Sequence, residues 1–190
     1  TTWAFRKWKE IAHLQKHKKF YGMNDNLIFG YPKNNSFRSL LVKSIYFFTK
    51  YVNTNSSILL AEKFQFLSFS KNKITKEYIE ILKKDNPSHL FFTHQRPPYL
   101  APFLHSAIQL KIPMSTFIFS WDNLASKGRM LGSFDKFLVW SKLMKEELLY
   151  FYPNVKDENV QIVGTPQFEP YVLDKYKSTK EHFLTEFGLD

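Results

Sequence analysis

Hydrophobic residues in the first part of the chain recur at helical spacings. Residues 1–21 predict a basic amphipathic helix, because Trp8, Ile11 and Leu14 lie three apart with Lys and Arg between them. Gly22 and the Asn-Asp-Asn run that follows predict the end of this helix. Such an apolar stripe packs on a protein core or lies in a membrane interface with its cations on anionic headgroups. The pattern alone leaves both interpretations open.

The next segments are less regular. A short apolar run at 27–31 precedes a Pro-Lys-Asn-Asn-Ser turn, and a second apolar helix is predicted at 37–52. Residues 53–57 predict a loop. The apolar residues 58–61 fit a short buried strand or a helical turn, and periodicity does not decide between them.

From residue 73 onward, short apolar runs alternate with helical patterns. The predicted strands are 89–93, 115–120, 136–140 and 160–163. The predicted helices are 73–84, 99–111, 142–152 and 168–187. This alternation predicts βαβ units, and therefore an α/β fold with a Rossmann-like, doubly wound parallel sheet covered by helices on both faces.

Three loops of this predicted sheet are candidates for a binding site. In open α/β sheets, ligands bind beyond the carboxyl ends of the strands. The rule selects the loops 94–98, 121–132 and 164–168, which hold most of the reactive side chains outside the basic first half.

Composition and charge narrow the possible functions. The chain has no cysteine, which excludes disulfides, thiolate metal sites and a cysteine nucleophile. Residues 1–84 hold 16 Lys/Arg against 5 Asp/Glu, whereas residues 85–190 hold 11 against 12. The basic half indicates an anionic partner, such as lipid headgroups, nucleic acid or a phosphorylated substrate, or only a solvated lysine-rich surface.

Three motifs in the second half resemble one enzyme family. They are Ser-Trp-Asp-Asn-Leu-Ala-Ser-Lys-Gly-Arg at 120–129, Val-Trp-Ser with Met-Lys-Glu-Glu-Leu at 139–148, and Gly-Thr-Pro-Gln-Phe-Glu-Pro-Tyr at 164–171. Together they resemble the amino-terminal domain of bacterial GT-B glycosyltransferases of the UDP-glycosyltransferase type. Glycerophosphotransferases of wall polymers are more distantly similar. The resemblance covers residues 85–190, and residues 1–84 resemble no family.

The resemblance implies a two-domain enzyme that transfers a sugar without a metal or other cofactor. An acceptor-side half binds a glycan or lipid-linked acceptor, and a second half binds the nucleotide sugar. We therefore expect a basic, mostly helical part at 1–84, a Rossmann-like core at 85–175, and a helix or linker at 176–190 leading to a donor domain outside the given sequence. We also expect that an upstream segment and the first strand lie outside this sequence, and that the chain alone is inactive.

The loop after the second predicted strand is the main candidate for catalysis. Asp122 can act as a general base on an acceptor hydroxyl, and Trp121 can stack on a sugar ring. Asn123, Lys127 and Arg129 are the expected substrate-binding residues beside them. The alternative is an Asp-Asn turn in which Asp122 bonds to nearby backbone amides and Trp121 fills the core.

Two other loops supply further candidates. His94 has the near-neutral pKa that proton transfer requires, and Arg96 can bind a phosphate through two hydrogen bonds. Their alternative is a helix-capping histidine beside a solvated arginine. Gly164 and Thr165 can bring the backbone close to a phosphate, or can simply form a structural turn.

Other functions remain alternatives. The same fold would suit a glycerophosphotransferase or a sugar-nucleotide epimerase, whereas the basic half would suit a nucleic-acid-binding module. We expect no nucleic acid, because the cations surround no recognition motif. His13 and His17 lie four apart, but no third ligand is evident, so no metal site is expected. The expected location is cytoplasmic, with possible peripheral binding to the inner face of the cell membrane.

Overall fold

The computed structural model describes residues 2–189. An all-helical part precedes a parallel sheet with its own helices. The helices are α1 Thr2–Lys16, α2 Tyr21–Gly30, α3 Phe37–Tyr51, α4 Asn55–Phe69, α5 Lys73–Asp85, α6 Ala101–Gln109, α7 Asn123–Ser126, α8 Lys142–Phe151, α9 Glu169–Val172 and α10 Lys180–Phe187. The strands are β1 Leu90–Phe92, β2 Met114–Phe117, β3 Lys136–Val139 and β4 Val160–Ile162. The α/β class and the parallel sheet predicted from the pattern are confirmed.

Local capping explains where several helices begin. The side-chain oxygens of Ser36, Thr54 and Asn72 accept hydrogen bonds from backbone N–H groups in the first turns of α3, α4 and α5. Ser141 does the same for α8 and Thr179 for α10. Each cap supplies an acceptor to an N–H group that has no partner within the helix.

The strands follow one another across the sheet in chain order, β1-β2-β3-β4, and each pair is parallel. A doubly wound sheet reverses its strand order at one point, and the four strands found in residues 2–189 contain no reversal. With right-handed connections, this order places the crossover elements on one face of the sheet.

The burial of side chains on the two faces of the sheet agrees with crossover elements on one face. Phe92, Thr116, Phe137 and Val160 lie in register on one face, and all four are buried. On the opposite face, the strand residues Phe91, Ser115, Leu138 and Gln161 are partly or fully exposed. The expectation of helices on both faces is therefore wrong for the described part of the chain.

Helix α1 lies inside the helical part rather than on its surface. It packs against α2, α3 and α4, and its residues Ile11, Ala12 and Leu14 are buried. Trp8 contacts the rings of Phe48 in α3 and Phe64 in α4. The apolar stripe of α1 is thus packed on protein, which agrees with the core-packing interpretation of this helix. One hydrophobic core includes Ile11 of α1 and residues of all four strands and their flanking helices.

Helix α2 stands where the sequence predicts the end of the first helix and a short apolar run. Met23 and Leu27, one turn apart, are buried, and the side chain of Asn26 donates to the carbonyls of Gly22 and Ser126. These tertiary contacts outweigh the weak helix propensity of the Asn-Asp-Asn run. The ambiguous residues 58–61 are part of α4.

The predicted helix at 168–187 is instead broken into pieces. The short helix α9 ends at an extended Leu173, and α10 begins only after its Thr179 cap. Residues 166–189 are almost entirely exposed, so no core contact holds them in one continuous helix.

Within residues 2–189, no helix has both the length and the apolar character that crossing a membrane requires.

Candidate functional site

A cavity of about 510 Å³ lies where the loops after β1 and β2 meet the helices of the first half. Its position at the carboxyl ends of the strands is the one that parallel sheets use for ligands. Five residues selected from the sequence line it together: His94, Arg96, Asn123, Lys127 and Arg129. The structure therefore brings together predicted residues from two loops that are 25 or more residues apart in the chain.

The helical part supplies the opposite wall of this cavity. Lys7, Glu10, Ile11 and Leu14 of α1 line it, as does Tyr46 of α3. Sequence reasoning missed all five as site residues. No motif links them to the loops, and the one available signal is that Glu10 is the single acid in an otherwise basic helix.

The cavity has an excess of positive charge. Its lining includes four cationic side chains, from Lys7, Arg96, Lys127 and Arg129, and the carboxylate of Glu10. Asp122 and Glu62 pair with Lys127 and Arg129 from outside the lining, so four cations meet three carboxylates. Lys7 and Glu10 form an ion pair at 3.2 Å. An anion that enters the cavity would therefore meet a favourable electrostatic field.

Arg96 connects the two loops of the site. Its guanidinium donates to the carbonyl oxygens of Asn123 and Gly128, and the side chain is largely buried. The sequence suggested that Arg96 binds a phosphate with its guanidinium. In the structure, both terminal nitrogens hold the 123–128 loop in place, so Arg96 shapes the site.

Arg129 is also committed to a protein partner. Its Nε donates to Glu62 of α4 at 2.8 Å, and the guanidinium lies 4.5 Å from the centroid of the Tyr152 ring. Lys127 is different, because among residues 2–189 its half-exposed ammonium has one ion-pair partner, Asp122 at 3.8 Å. Lys127 is the site cation best placed to exchange that partner for a ligand.

Asp122 accepts hydrogen bonds from nearby hydroxyl groups. Ser120 donates to Oδ1, and Ser126 donates to Oδ2 at 3.3 Å. The hydrogen bond from Ser120, followed by the charge of Lys127, lowers the pKa of Asp122. The carboxylate is therefore ionised at neutral pH, as a general base must be, although its basicity is reduced.

The ring of His94 is oriented by two contacts. It stacks on Phe119 with centroids 5.6 Å apart, and its Nδ1 accepts a hydrogen bond from the backbone N–H of Arg96 at 3.2 Å. Burial and the neighbouring Arg96 lower the pKa of His94. Because Nδ1 is an acceptor, the neutral ring has its proton on Nε2 and can donate to a ligand. This geometry favours a binding role for His94 over a general base at Nε2.

Two further residues of the 121–132 loop have distinct environments. Asn123 is buried, and its Nδ2 has no hydrogen-bond partner among the described residues, which leaves a donor at the cavity. Trp121 is 67% exposed. The alternative in which Trp121 fills the core is therefore wrong, and its exposed ring lies outside the lining of the cavity.

Gly164 and Thr165 lie apart from the other predicted residues. They follow β4, which is two strands away from β2, and they are not in the lining of the cationic cavity or of the larger cavity at the amino ends of the strands. Gly164 has a left-handed φ of 73°, which a glycine adopts without strain. This geometry favours the structural turn over a phosphate site.

A larger cavity of about 610 Å³ lies at the amino ends of β2 and β3. It contains none of the predicted site residues, and its lining includes the buried side chains of Gln65 and His105. Ligands of parallel sheets bind at the opposite end of the strands. The smaller, cationic cavity is for this reason the better candidate.

The paired histidines of α1 lie in the core. His13 and His17 are buried, with ring centroids 4.8 Å apart, and both contact Phe151. Across residues 2–189, no three His, Asp or Glu side chains form a group that could hold a metal ion.

Comparisons of the chain with family models, with curated proteins and with solved structures found no match.

Proposed function

We propose that this chain is the acceptor-binding domain of a glycosyltransferase of the GT-B type, and that its cationic cavity binds a phosphate-bearing acceptor. The observation that carries the proposal is the meeting of His94, Asn123 and Lys127 in one positively charged cavity at the carboxyl ends of β1 and β2. The resemblance of three sequence motifs to this enzyme family supports the same proposal. A lipid-linked glycan of the kind named above would bring a phosphate and a sugar into this cavity.

The side chains of the cavity would share the work of binding. Lys127 would leave Asp122 to meet a phosphate oxygen, since a charge-assisted hydrogen bond to phosphate is stronger than a 3.8 Å ion pair with a partly exposed carboxylate. Nδ2 of Asn123 and Nε2 of His94 would donate to the remaining oxygens. Arg96 would keep the loop in position, and the exposed ring of Trp121 would stack on the sugar.

Asp122 is the proposed general base for the acceptor hydroxyl. When Lys127 turns to the ligand, Asp122 keeps the hydrogen bonds from Ser120 and Ser126, which hold its carboxylate in one orientation. The nucleotide sugar would approach from a second domain, as the family resemblance implies. In this arrangement the present domain binds the acceptor and provides Asp122 as the general base.

Calorimetric titration of the chain tests the binding part of the proposal. The probes are inorganic pyrophosphate, UDP-glucose and a water-soluble short-chain prenyl diphosphate carrying one sugar. We expect the prenyl-linked sugar to bind best, because it combines phosphate with a ring for Trp121, and Lys127→Ala to weaken it about tenfold or more.

Lys142→Ala is the matched control, since Lys142 is an exposed lysine that also pairs with one acid, Glu146, at 3.9 Å. This variant should bind like the parent chain. Equal losses in the two variants, or no binding of any probe, would count against the cavity as an acceptor site.

A further inference from the structure

Helix α3 is apolar on two sides. Val42 and Tyr46 on one side are buried against α1 and α2, with Tyr46 Oη donating to the carbonyl of Leu27. The opposite side points to solvent. We call it the α3 outer face, and it consists of Phe37, Leu40, Leu41, Phe47 and Tyr51.

The α3 outer face runs along one side of the 15-residue helix, which is about 22 Å long. Phe37, Leu40 and Leu41 form its first part and Phe47 and Tyr51 its second, with Ser44 between them. Phe37 is 78% exposed, Phe47 70% and Tyr51 69%. Scattered exposed apolar side chains are common, but a stripe of large apolar residues along one side of a helix marks an interaction surface.

Cations lie beside the stripe and no acid accompanies them. Residues 26–61 contain four basic side chains and not one Asp or Glu; the basic residues are Lys33, Arg38, Lys43 and Lys50. Lys43 and Lys50 are two helical turns apart on one flank of the α3 outer face. Their ammonium groups lie 6.0 Å from the Tyr31 ring and 5.8 Å from the Tyr51 ring.

We propose that the α3 outer face docks onto an anionic lipid surface. Phe37, Phe47 and Tyr51 would enter the boundary between headgroups and acyl chains, while Lys43 and Lys50 reach lipid phosphates and carboxylates. A helix that lies in an interface has this combination of a bulky apolar face and flanking Lys or Arg. The proposal goes beyond the acceptor site and does not depend on it.

Charge favours a lipid surface over a second copy of the chain. A two-fold symmetric contact places the same patch of both copies together. Lys43 and Lys50 would then face the cations of the other copy, with no acid from residues 26–61 to compensate them. An anionic membrane pairs with these cations and also accepts the aromatic side chains.

A single fluorescent label tests the orientation of the bound protein. Because the chain has no cysteine, Phe47→Cys can be labelled with an environment-sensitive dye at one site, and Phe187→Cys on α10 provides a matched exposed phenylalanine. With vesicles of phosphatidylcholine and phosphatidylserine, we expect a blue shift and a rise in emission at position 47 only. A response at 187 alone, or an equal response with phosphatidylcholine alone, would overturn the proposal.

Vesicle co-sedimentation of the unlabelled chain tests the role of the cations. We expect Lys43→Gln/Lys50→Gln to weaken binding to the phosphatidylserine vesicles by roughly 10- to 30-fold, and added salt to weaken the binding of the parent chain. Lys73→Gln/Lys76→Gln removes the same charge from exposed positions of α5 and should have a much smaller effect. Equal losses in the two double variants would leave only a general effect of net charge and overturn the proposal. Dimerisation of the chain in sedimentation velocity that Phe47→Ser abolishes would also overturn the proposal, because the α3 outer face would then bind a second copy.

Discussion

The ammonium group of Lys9 in α1 donates a hydrogen bond to the carbonyl oxygen of Met130, 2.9 Å away in the loop between β2 and β3. The same group donates to the carbonyl of Leu131 at 2.6 Å. Lys9 is 1% exposed, and burial lowers its pKa to about 8. A residue of the basic helix therefore connects the helical part to the 121–132 loop of the candidate site.

Replacement of Lys9 tests this connection. Lys9→Met should lower the free energy of unfolding by about 1–3 kcal/mol, because two carbonyl groups in the core lose their donor. Urea unfolding measures the change. Lys7→Met, on the same helix but partly exposed and paired only with Glu10, should change stability by no more than about 0.5 kcal/mol. A more stable Lys9→Met variant would mean that relief of the buried charge outweighs the lost hydrogen bonds.

Arg96 offers a second test of loop positioning. Arg96→Lys should loosen residues 121–129, since one ammonium group does not reproduce the forked donors that bond to Asn123 and Gly128. Amide hydrogen exchange in this loop should become faster while the exchange in β2 and β3 stays slow. Arg38→Lys, at an exposed arginine that lies over the Trp3 ring, is the control and should leave exchange in the loop unchanged.

The proposed general base makes a kinetic prediction for a two-domain transferase of the proposed type. Asp122→Asn should lower kcat by about 10²–10⁴-fold with the fold intact by circular dichroism. Ser120→Ala removes the hydrogen bond that lowers the pKa of Asp122, so the acidic limb of the kcat/KM profile should move to higher pH. Activity of Asp122→Asn within a few-fold of the parent enzyme would identify Asp122 as a turn residue.

The buried histidines predict that the fold weakens in mild acid. Burial lowers the pKa of His17 to about 4 and of His105 to about 3, and holds that of His13 well below its usual value. The unfolded chain binds protons at these sites near pH 6.5, where the folded chain does not. Stability should therefore be greatest above about pH 6.5 and fall as the pH drops toward 4.

Thermal melts between pH 7 and pH 5 measure this dependence. His105→Asn should reduce the fall in Tm across this range, because one of the titrating groups is gone. His182→Asn, which removes an imidazole from the exposed helix α10, is the matched control. A Tm that is constant from pH 7 to pH 5 would contradict the buried, neutral state of these rings.

The contact of α2 with α7 predicts an unusual response to a glycine substitution. A Cβ atom on Gly22 would lie 2.6 Å from the Cβ and 2.9 Å from the Cα of Ser126. Gly22→Ala should therefore destabilise the protein, although Gly to Ala within a helix usually stabilises by about 0.5–1 kcal/mol. Gly128→Ala meets only ordinary contacts with Glu10 and is the control in chemical unfolding. Stabilisation by Gly22→Ala would show that α2 and α7 are less closely packed than these distances indicate.

The sequence by itself determined the elements whose signals are local. Alternation of apolar runs with helical patterns identified the four strands and α5, α6 and α8 within a few residues, because hydrophobic periodicity and capping depend on neighbours in the chain. The rule that ligands bind at the carboxyl ends of parallel strands selected the loops that hold His94, Asn123 and Lys127, which line the cationic cavity.

Only the tertiary structure decided which partners these residues have. Lys9 reads as a solvated cation in the sequence, yet its ammonium group is buried on two carbonyl oxygens more than 120 residues away. Arg96 reads as a phosphate ligand, yet its guanidinium bonds to the loop at Asn123. The apolar stripe of α1 fits a protein core or a membrane interface in the sequence, and in the structure it packs on protein, whereas apolar residues of α3 are left in solvent. Periodicity identifies an apolar face, but the long-range packing of the other elements decides whether that face meets protein or solvent.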